Sequence, residues 1–164
     1  MSALPQELGE LHLHRLLVAV DGSASSDLAL AAAVTAARRD NASLTLVTVA
    51  PDTVAEAARW PGGFTMPAMP QAEADAAADR TLRDAVARVP QDIPVTTVLR
   101  HGRPGPEVAK LAASGDFDAV LLGARGVGRV GALMGSVSHH VLHHAPIAVF
   151  VAHAPRGGAL ADAA

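Results

Sequence analysis

The 164-residue sequence contains no cysteine and no tyrosine, and only one tryptophan and three phenylalanines. Missing thiols exclude disulfides and thiolate metal centres. With so few aromatic rings but half of the residues apolar, the core must be built from Ala, Val and Leu. No uninterrupted apolar run approaches the roughly 20 residues of a membrane-spanning helix, so no membrane partner is expected. Lysine occurs once, at Lys110, which rules out a phosphate loop of the G-x-x-x-x-G-K-[ST] type. A formal net charge of −3 offers no basic surface for nucleic acid. The length is most simply that of one domain. Residues 1–11 carry Glu7 and Glu10 and no apolar stretch, so they are expected to be a loose leader rather than a signal peptide. A soluble, cytoplasmic protein is the expectation.

What the chain does have is a regular alternation of aliphatic runs and helical patterns. His14–Val20, Ser43–Val49, Val95–Arg100, Phe117–Leu122 and Pro146–Val151 read as strands of the kind buried on both faces of a parallel sheet. Between them lie helical patterns: one capped by Ser25 or Ser26 and running to about Arg39, one over Ala72–Val89, one from Pro106 through Ala113, and one from Gly135-Ser136 through His144. Five strands alternating with helices predict an α/β fold, a single doubly wound five-stranded parallel sheet with helices on both faces. Residues 50–71, with prolines at 51, 61, 67 and 70, a Gly pair, Trp60 and Phe64, are expected to form a long irregular loop of the mobile or lid-forming sort. Residues 154–164 are expected to be a small-residue tail.

The densest chemical signal lies between Asp118 and Ser138. An apolar strand stops at Gly123, five glycines fall within positions 123–135, and Gly135-Ser136 opens a helix. Glycines let backbone approach a phosphate, and free N–H groups converge at a helix start together with the positive end of its dipole. Arg125 and Arg129 add charge, and no Asp or Glu occurs between Asp118 and Asp162. The phosphate reading therefore outweighs one in which the glycines serve only the turn. Gly126-Val-Gly128-Arg-Val-Gly131 does match G-x-G-x-x-G. A dinucleotide site also needs an acidic residue about 20 positions on, where this chain has the apolar strand around Val151. At the end of the first strand Asp21 has two readings. It is placed to accept hydrogen bonds from a base or ribose, or simply to bond nearby amides at a helix entry. Both stand on the residues alone.

Gly123-x-x-Gly126, eight residues, then Gly135-Ser136 resembles the nucleotide loop of the universal stress protein family. The family pattern is G-x-x-G, nine residues, then G-[ST], so this spacer is one residue short, which would tighten the loop. The resemblance runs from about His14 to His153 and implies a domain over 12–153. It further implies strand order 3-2-1-4-5 in a three-layer sandwich like that of the adenine nucleotide alpha hydrolases and the flavodoxins. That order sets the Asp21 turn against the glycine loop at the point where winding reverses, outside the carboxyl ends of the strands. By resemblance, Asp21 would meet the adenine nucleoside and Val49 the base. Gly123, Gly126, Gly135 and Ser136 would cradle phosphates, with Val137 adding an amide, Ser138 a hydroxyl and Arg125 a charge. Ala19 stands where some nucleotide-binding members have proline. ATP is the implied cofactor, with any Mg²⁺ held mainly by nucleotide oxygens and water. A homodimer through the strand 146–152 is the implied assembly, to which Pro146 and Phe150 are suited as edge-strand residues.

His139, His140, His143 and His144 make two i,i+4 pairs on one short helix. Such spacing can hold a metal, but a solvated face, or cationic rings matched to the helix C-terminus, is favoured, and no metal residue is assigned. Plotted at 100° per residue, Val137, Ser138, Val141 and Leu142 form the buried arc. His101 is a loop residue with no identified partner. No Ser/His/Asp spacing suggests nucleophilic catalysis, and no catalytic residue is assigned. The leading function is an ATP-binding stress-response sensor or regulator with at most slow hydrolysis. The alternative is a nucleotide-free dimerisation or interaction module of the same fold, supported by the short spacer. A true adenylyl-transferring or hydrolytic enzyme would need an acid, base or metal carboxylate near the phosphates, which the acid-free stretch does not offer.

Overall fold

The computed structural model describes residues 12–59, 69–124 and 135–153. The leader 1–11, the tail 154–164, Trp60 and Phe64 of the 50–71 segment, and Arg125, Gly126 and Arg129 of the glycine loop lie outside the described residues. β1 is Arg15–Ala19 and leads into α1, Ala24–Asp40. The cap of α1 is Ser23, not Ser25 or Ser26: its side chain accepts from the Ser26 amide, a spacing that closes the first turn. At the other end Asn41 takes the left-handed conformation (φ 55°) and donates its N–H to Ala37 O, which turns the chain into β2, Ser43–Ala50.

The segment expected to be irregular contains a helical turn and a half, α2, Thr53–Ala58. Asp52 caps it through a bond from the Ala55 amide, and the Ala-Glu-Ala-Ala run between the prolines is good helix sequence. α3 follows at Gln71–Val86, then β3 at Val95–His101, α4 at Pro104–Ala112 and β4 at Ala119–Gly123. α5, Ser136–His144, and β5, Ala148–Ala152, complete the described elements.

The five strands form one parallel sheet in the order β3-β2-β1-β4-β5. Alternation along the central strands divides the core in two. Leu16 and Val18 of β1, with Leu44 and Leu46 of β2, pack beneath α1 and α3 through Leu30, Ala33 and Leu82. Leu17, Val47, Val120 and Leu122 face the other way, against Val108 and Leu111 of α4 and Val141 of α5. Among the described residues the buried apolar side chains are all aliphatic. Ala29, Ala33 and Ala37 along one side of α1 are buried, bringing that helix close to the sheet.

The start of β1 is tied to the residue before β4. The His14 and Arg15 amides both donate to Asp118 Oδ2, at 2.7 and 2.8 Å. These bonds, the Arg15 one foremost, hold the Asp118 carboxyl below its ordinary range. Because β1 and β4 are neighbours but not consecutive, α1 and α3 lie on one face and α4 and α5 on the other. A crevice opens where the two windings part.

Candidate functional site

The crevice at the carboxyl ends of β1 and β4 holds a cleft of about 330 Å³, the lower end of the range for small-molecule sites. Its floor comes from the strand ends, with Ala19 ending β1, Asp21 just after it, Val49 on β2, and Gly123 closing β4. One wall is the first turn of α5: Gly135, Ser136, Val137 and Ser138. Eight of the ten residues singled out by sequence therefore line one space, and the other two, Arg125 and Gly126, lie outside the described residues.

The two sides of the cleft are built differently. On the β1 side the turn satisfies itself. Asp21 Oδ1 accepts from the Ser23 amide at 3.0 Å, Ser23 Oγ from the Ser26 amide at 3.1 Å, and Ser26 Oγ donates to Ser23 O at 2.9 Å. Asp21 thus fills the local turn role, yet it is exposed and is the sole carboxylate along the cleft wall among the described residues. A carboxylate has about four acceptor positions, so one turn bond leaves capacity for a ligand hydroxyl or amine.

On the β4 side the neck of the glycine loop is closed. The Gly135 amide donates to Ala124 O at 2.5 Å, and Ser138 Oγ donates to Gly123 O at 2.6 Å. Ser138 is buried, and its proton is committed to the neck, so it shapes the entrance while its lone pairs remain. The amides of Ser136, Val137 and Ser138 have no intrahelical acceptor by helix geometry, and Gly135 supplies no side-chain cap. The positive end of α5 therefore opens into the cleft with donors that have no partner among the described residues.

Gly123 sits where both sides meet. A Cβ there would lie 2.5 Å from the carbonyl carbon of Ser25, 2.6 Å from its Cβ and 2.7 Å from the Ser26 amide nitrogen. Only glycine lets the start of α1 lie against the end of β4 this closely.

Several lining residues were not legible in advance. Thr48 is buried, with its hydroxyl donating to Val20 O at 2.7 Å. It fixes β2 to the chain leaving β1. Pro104 and Val108 bring α4 in as a further wall. The Gly102-x-Pro104-Gly-Pro106 punctuation marks that helix start in the sequence, but nothing local shows that it faces the cleft.

His101, unassigned from sequence, ends β3 with its Nε2 2.8 Å from Asp75 Oδ1. Gln71 Nε2 also donates to that oxygen at 2.8 Å, and Gln71 Oε1 accepts from the Thr53 amide and hydroxyl, both at 3.0 Å. The Gln71 bond first, and His101 next, lower the Asp75 carboxyl. This clasp ties α2, α3 and β3 beside the cleft. Leu142, placed in the buried arc of α5 by the helical projection, is 46% exposed, because α5 packs chiefly on α4 near the edge of the sheet.

The fold and cleft define a doubly wound α/β protein with a small-molecule site at its switch point, one wall of which is a helix start suited to an anion. The sequence profile of the universal stress protein family matches residues 12–153. A universal stress protein of Mycobacterium tuberculosis is 36% identical over 138 residues, 84% of this chain and 44% of the relative. The chain thus spans less than half the length of the curated relatives it matches. The solved universal stress protein UspA from Lactobacillus plantarum has a TM-score of 0.67 at 24% identity, covering 86% of this chain and 98% of that one. A universal stress protein from Archaeoglobus fulgidus in complex with dAMP has a TM-score of 0.61 at 22% identity, covering 85% and 97%. At such identities the structural likeness speaks for the fold. The chain belongs to the universal stress protein family.

Proposed function

We propose that the cleft binds an adenine nucleotide, ATP with Mg²⁺ in the fullest form of the reading, and that the protein works as a stress-response sensor or regulator rather than as a fast enzyme. The observation that carries this is the uncapped start of α5 facing the Asp21 turn across a cleft of about 330 Å³. A phosphate at the α5 amides and a ribose or base edge at Asp21 would use both ends of that space. The solved Archaeoglobus protein holds dAMP, and similar structures of the family hold cAMP and AMP, which supports the adenine class. Val49 would lie beside the base, and Arg125 and Gly126 would belong to the phosphate loop. Nucleotide occupancy would shift the conformation that a partner reads. A cytoplasmic homodimer through residues 146–152 belongs to the same reading. Its support is an edge strand, β5, with Phe150 43% exposed.

A second reading rests on the closed neck. With eight residues between Gly126 and Gly135 and the Gly135 amide already bonded to Ala124 O, the loop would be too tight for a triphosphate. The protein would then act as an interaction module. The experiment that separates the two is to denature freshly purified protein, identify any released nucleotide by mass spectrometry, and titrate the emptied protein with AMP and with MgATP calorimetrically. About one adenine nucleotide per chain, or saturable binding of AMP or MgATP with no response to GMP, is the expected result. Silence towards all three sinks the nucleotide reading and leaves the module.

A further inference from the structure

The histidines of α5 are two different pairs. His139 and His143 meet edge to face, with ring centroids 4.5 Å apart and planes at 61°. His140 and His144 are stacked, with centroids 4.0 Å apart and planes within 12°. Only the second pair carries a bond that sets its chemistry: His144 Nδ1 lies 2.8 Å from His140 O. A carbonyl oxygen only accepts, so Nδ1 bears the proton and the lone pair of the neutral His144 ring is on Nε2. A ring nitrogen oriented by a backbone carbonyl on its far side is the arrangement that prepares histidine as a ligand.

We propose that His140 and His144 form a two-nitrogen site for a divalent transition-metal ion of the copper, nickel and zinc group. Two nitrogens at roughly 2.0–2.1 Å from one ion lie about 3–4 Å apart; the rings, with centroids 4.0 Å apart and planes within 12°, reach that span only by turning about their side-chain bonds so that their in-plane lone pairs converge on the ion. Both rings leave the helix on successive turns of one side and so point the same way. His144 lies in the last turn of α5 and His140 one turn earlier, so the negative end of the dipole favours a cation at the His144 end of the pair. Arg103 is a permanent cation near His140 and works against the ion. Among the described residues no third His, Asp, Glu or Cys joins them, so water completes the coordination. Borderline ions that favour imidazole then rank copper above nickel and zinc, and the hard ions magnesium and calcium are not ligands for this site.

His140 also rests directly on α4. A Cβ at Gly105 would fall 2.9 Å from His140 Cβ, so an ion held by this pair would sit where α5 packs on the helix that walls the cleft. The test is calorimetric titration of the full chain, free of any affinity tag, with copper(II) at pH 7.5. One equivalent is expected to bind. His144→Gln, which changes an exposed residue, should weaken binding at least tenfold, and His143→Gln should leave it within twofold, with the circular dichroism of both unchanged. At pH 5.5 the wild-type affinity should fall as protons compete for both rings. No binding, equal losses in the two variants, or full retention in His144→Gln would each overturn the site. AMP binding by the metal-free protein is read separately, so failure here leaves the nucleotide reading untouched.

Discussion

Two helices begin at the same cleft and finish their first turns in opposite ways. α1 is capped by its own chain: Ser23 takes the Ser26 amide, Asp21 takes the Ser23 amide, and Ser26 returns a hydroxyl bond. α5 begins at Gly135, which has no side chain with which to cap it. Both termini carry the same partial charge and the same orphan donors by geometry. The difference lies in what answers them. A start that answers itself stabilises the fold whether or not a ligand is present, whereas one left open to a cleft is complete only when something anionic arrives. Being at the carboxyl edge of a parallel sheet does not make a helix start a binding site. Lack of a local partner among the described residues is what suits the α5 start to the proposed anion.

The change that should damage both starts at once is Gly123→Ala. The new methyl group would fall 2.5–2.7 Å from backbone atoms of Ser25 and Ser26, and backbone cannot swing aside as a side-chain end can. The same residue's carbonyl receives the Ser138 hydroxyl, so a shift of β4 also reaches α5. Overpacking costs roughly 1–3 kcal/mol, and this substitution should fall at the upper end. The urea midpoint should drop with little change in slope. An unchanged midpoint would mean that α1 retreats freely, and that the close contact at Gly123 holds nothing in place.

The next effect should appear in binding with stability preserved. Gly135 has φ −73° and ψ 158°, the extended conformation favoured before proline, and Ser136 is the first helical position, where proline is well accepted. Ser136→Pro therefore removes one open donor, and a hydroxyl, without disturbing the helix. A hydrogen bond to a charged group is worth roughly 1.5–3 kcal/mol, so AMP affinity should fall by about ten- to a hundredfold. The thermal midpoint of the empty protein should hold or rise. If AMP binds the variant as it binds the parent, the phosphate does not sit at α5.

The difference between these helix starts marks what the sequence could and could not reveal. The two-faced core followed from aliphatic runs that alternate with helices, whereas the strand order came only from the family resemblance that the glycine pattern carried. Ala19, Asp21, Val49 and the 135–138 segment line one cleft, because strand ends and helix starts in such a sheet converge on one edge. The α1 cap was misplaced by two or three residues, since Ser23, Ser25 and Ser26 are equally good caps by type and only the turn geometry selects among them. α2 was hidden among prolines. His101 appeared partnerless because Asp75 reaches it from 26 residues away. Pro104 and Val108 belong to the cleft through the packing of α4, a long-range fact with no local signature. Ser138 was named as a group for phosphate, and its hydroxyl is found holding the neck of the loop.

The smallest predicted effect is the one that sharpens the comparison most. Ser23→Ala deletes the α1 cap and should cost about 1 kcal/mol of stability, within the usual 0.5–2 kcal/mol for such a loss. Asp21 keeps its partner in this variant, because the bond to it comes from the residue 23 amide, not the hydroxyl. AMP affinity should accordingly stay within about twofold, a change of less than ~0.5 kcal/mol. Ser23→Ala and Ser136→Pro then form a crossed pair: one lowers the unfolding midpoint and spares binding, the other spares the midpoint and lowers binding. Should Ser23→Ala weaken AMP as strongly as Ser136→Pro does, the α1 turn is also a ligand seat. Self-satisfaction of a helix start would then no longer distinguish a structural terminus from a functional one in this fold.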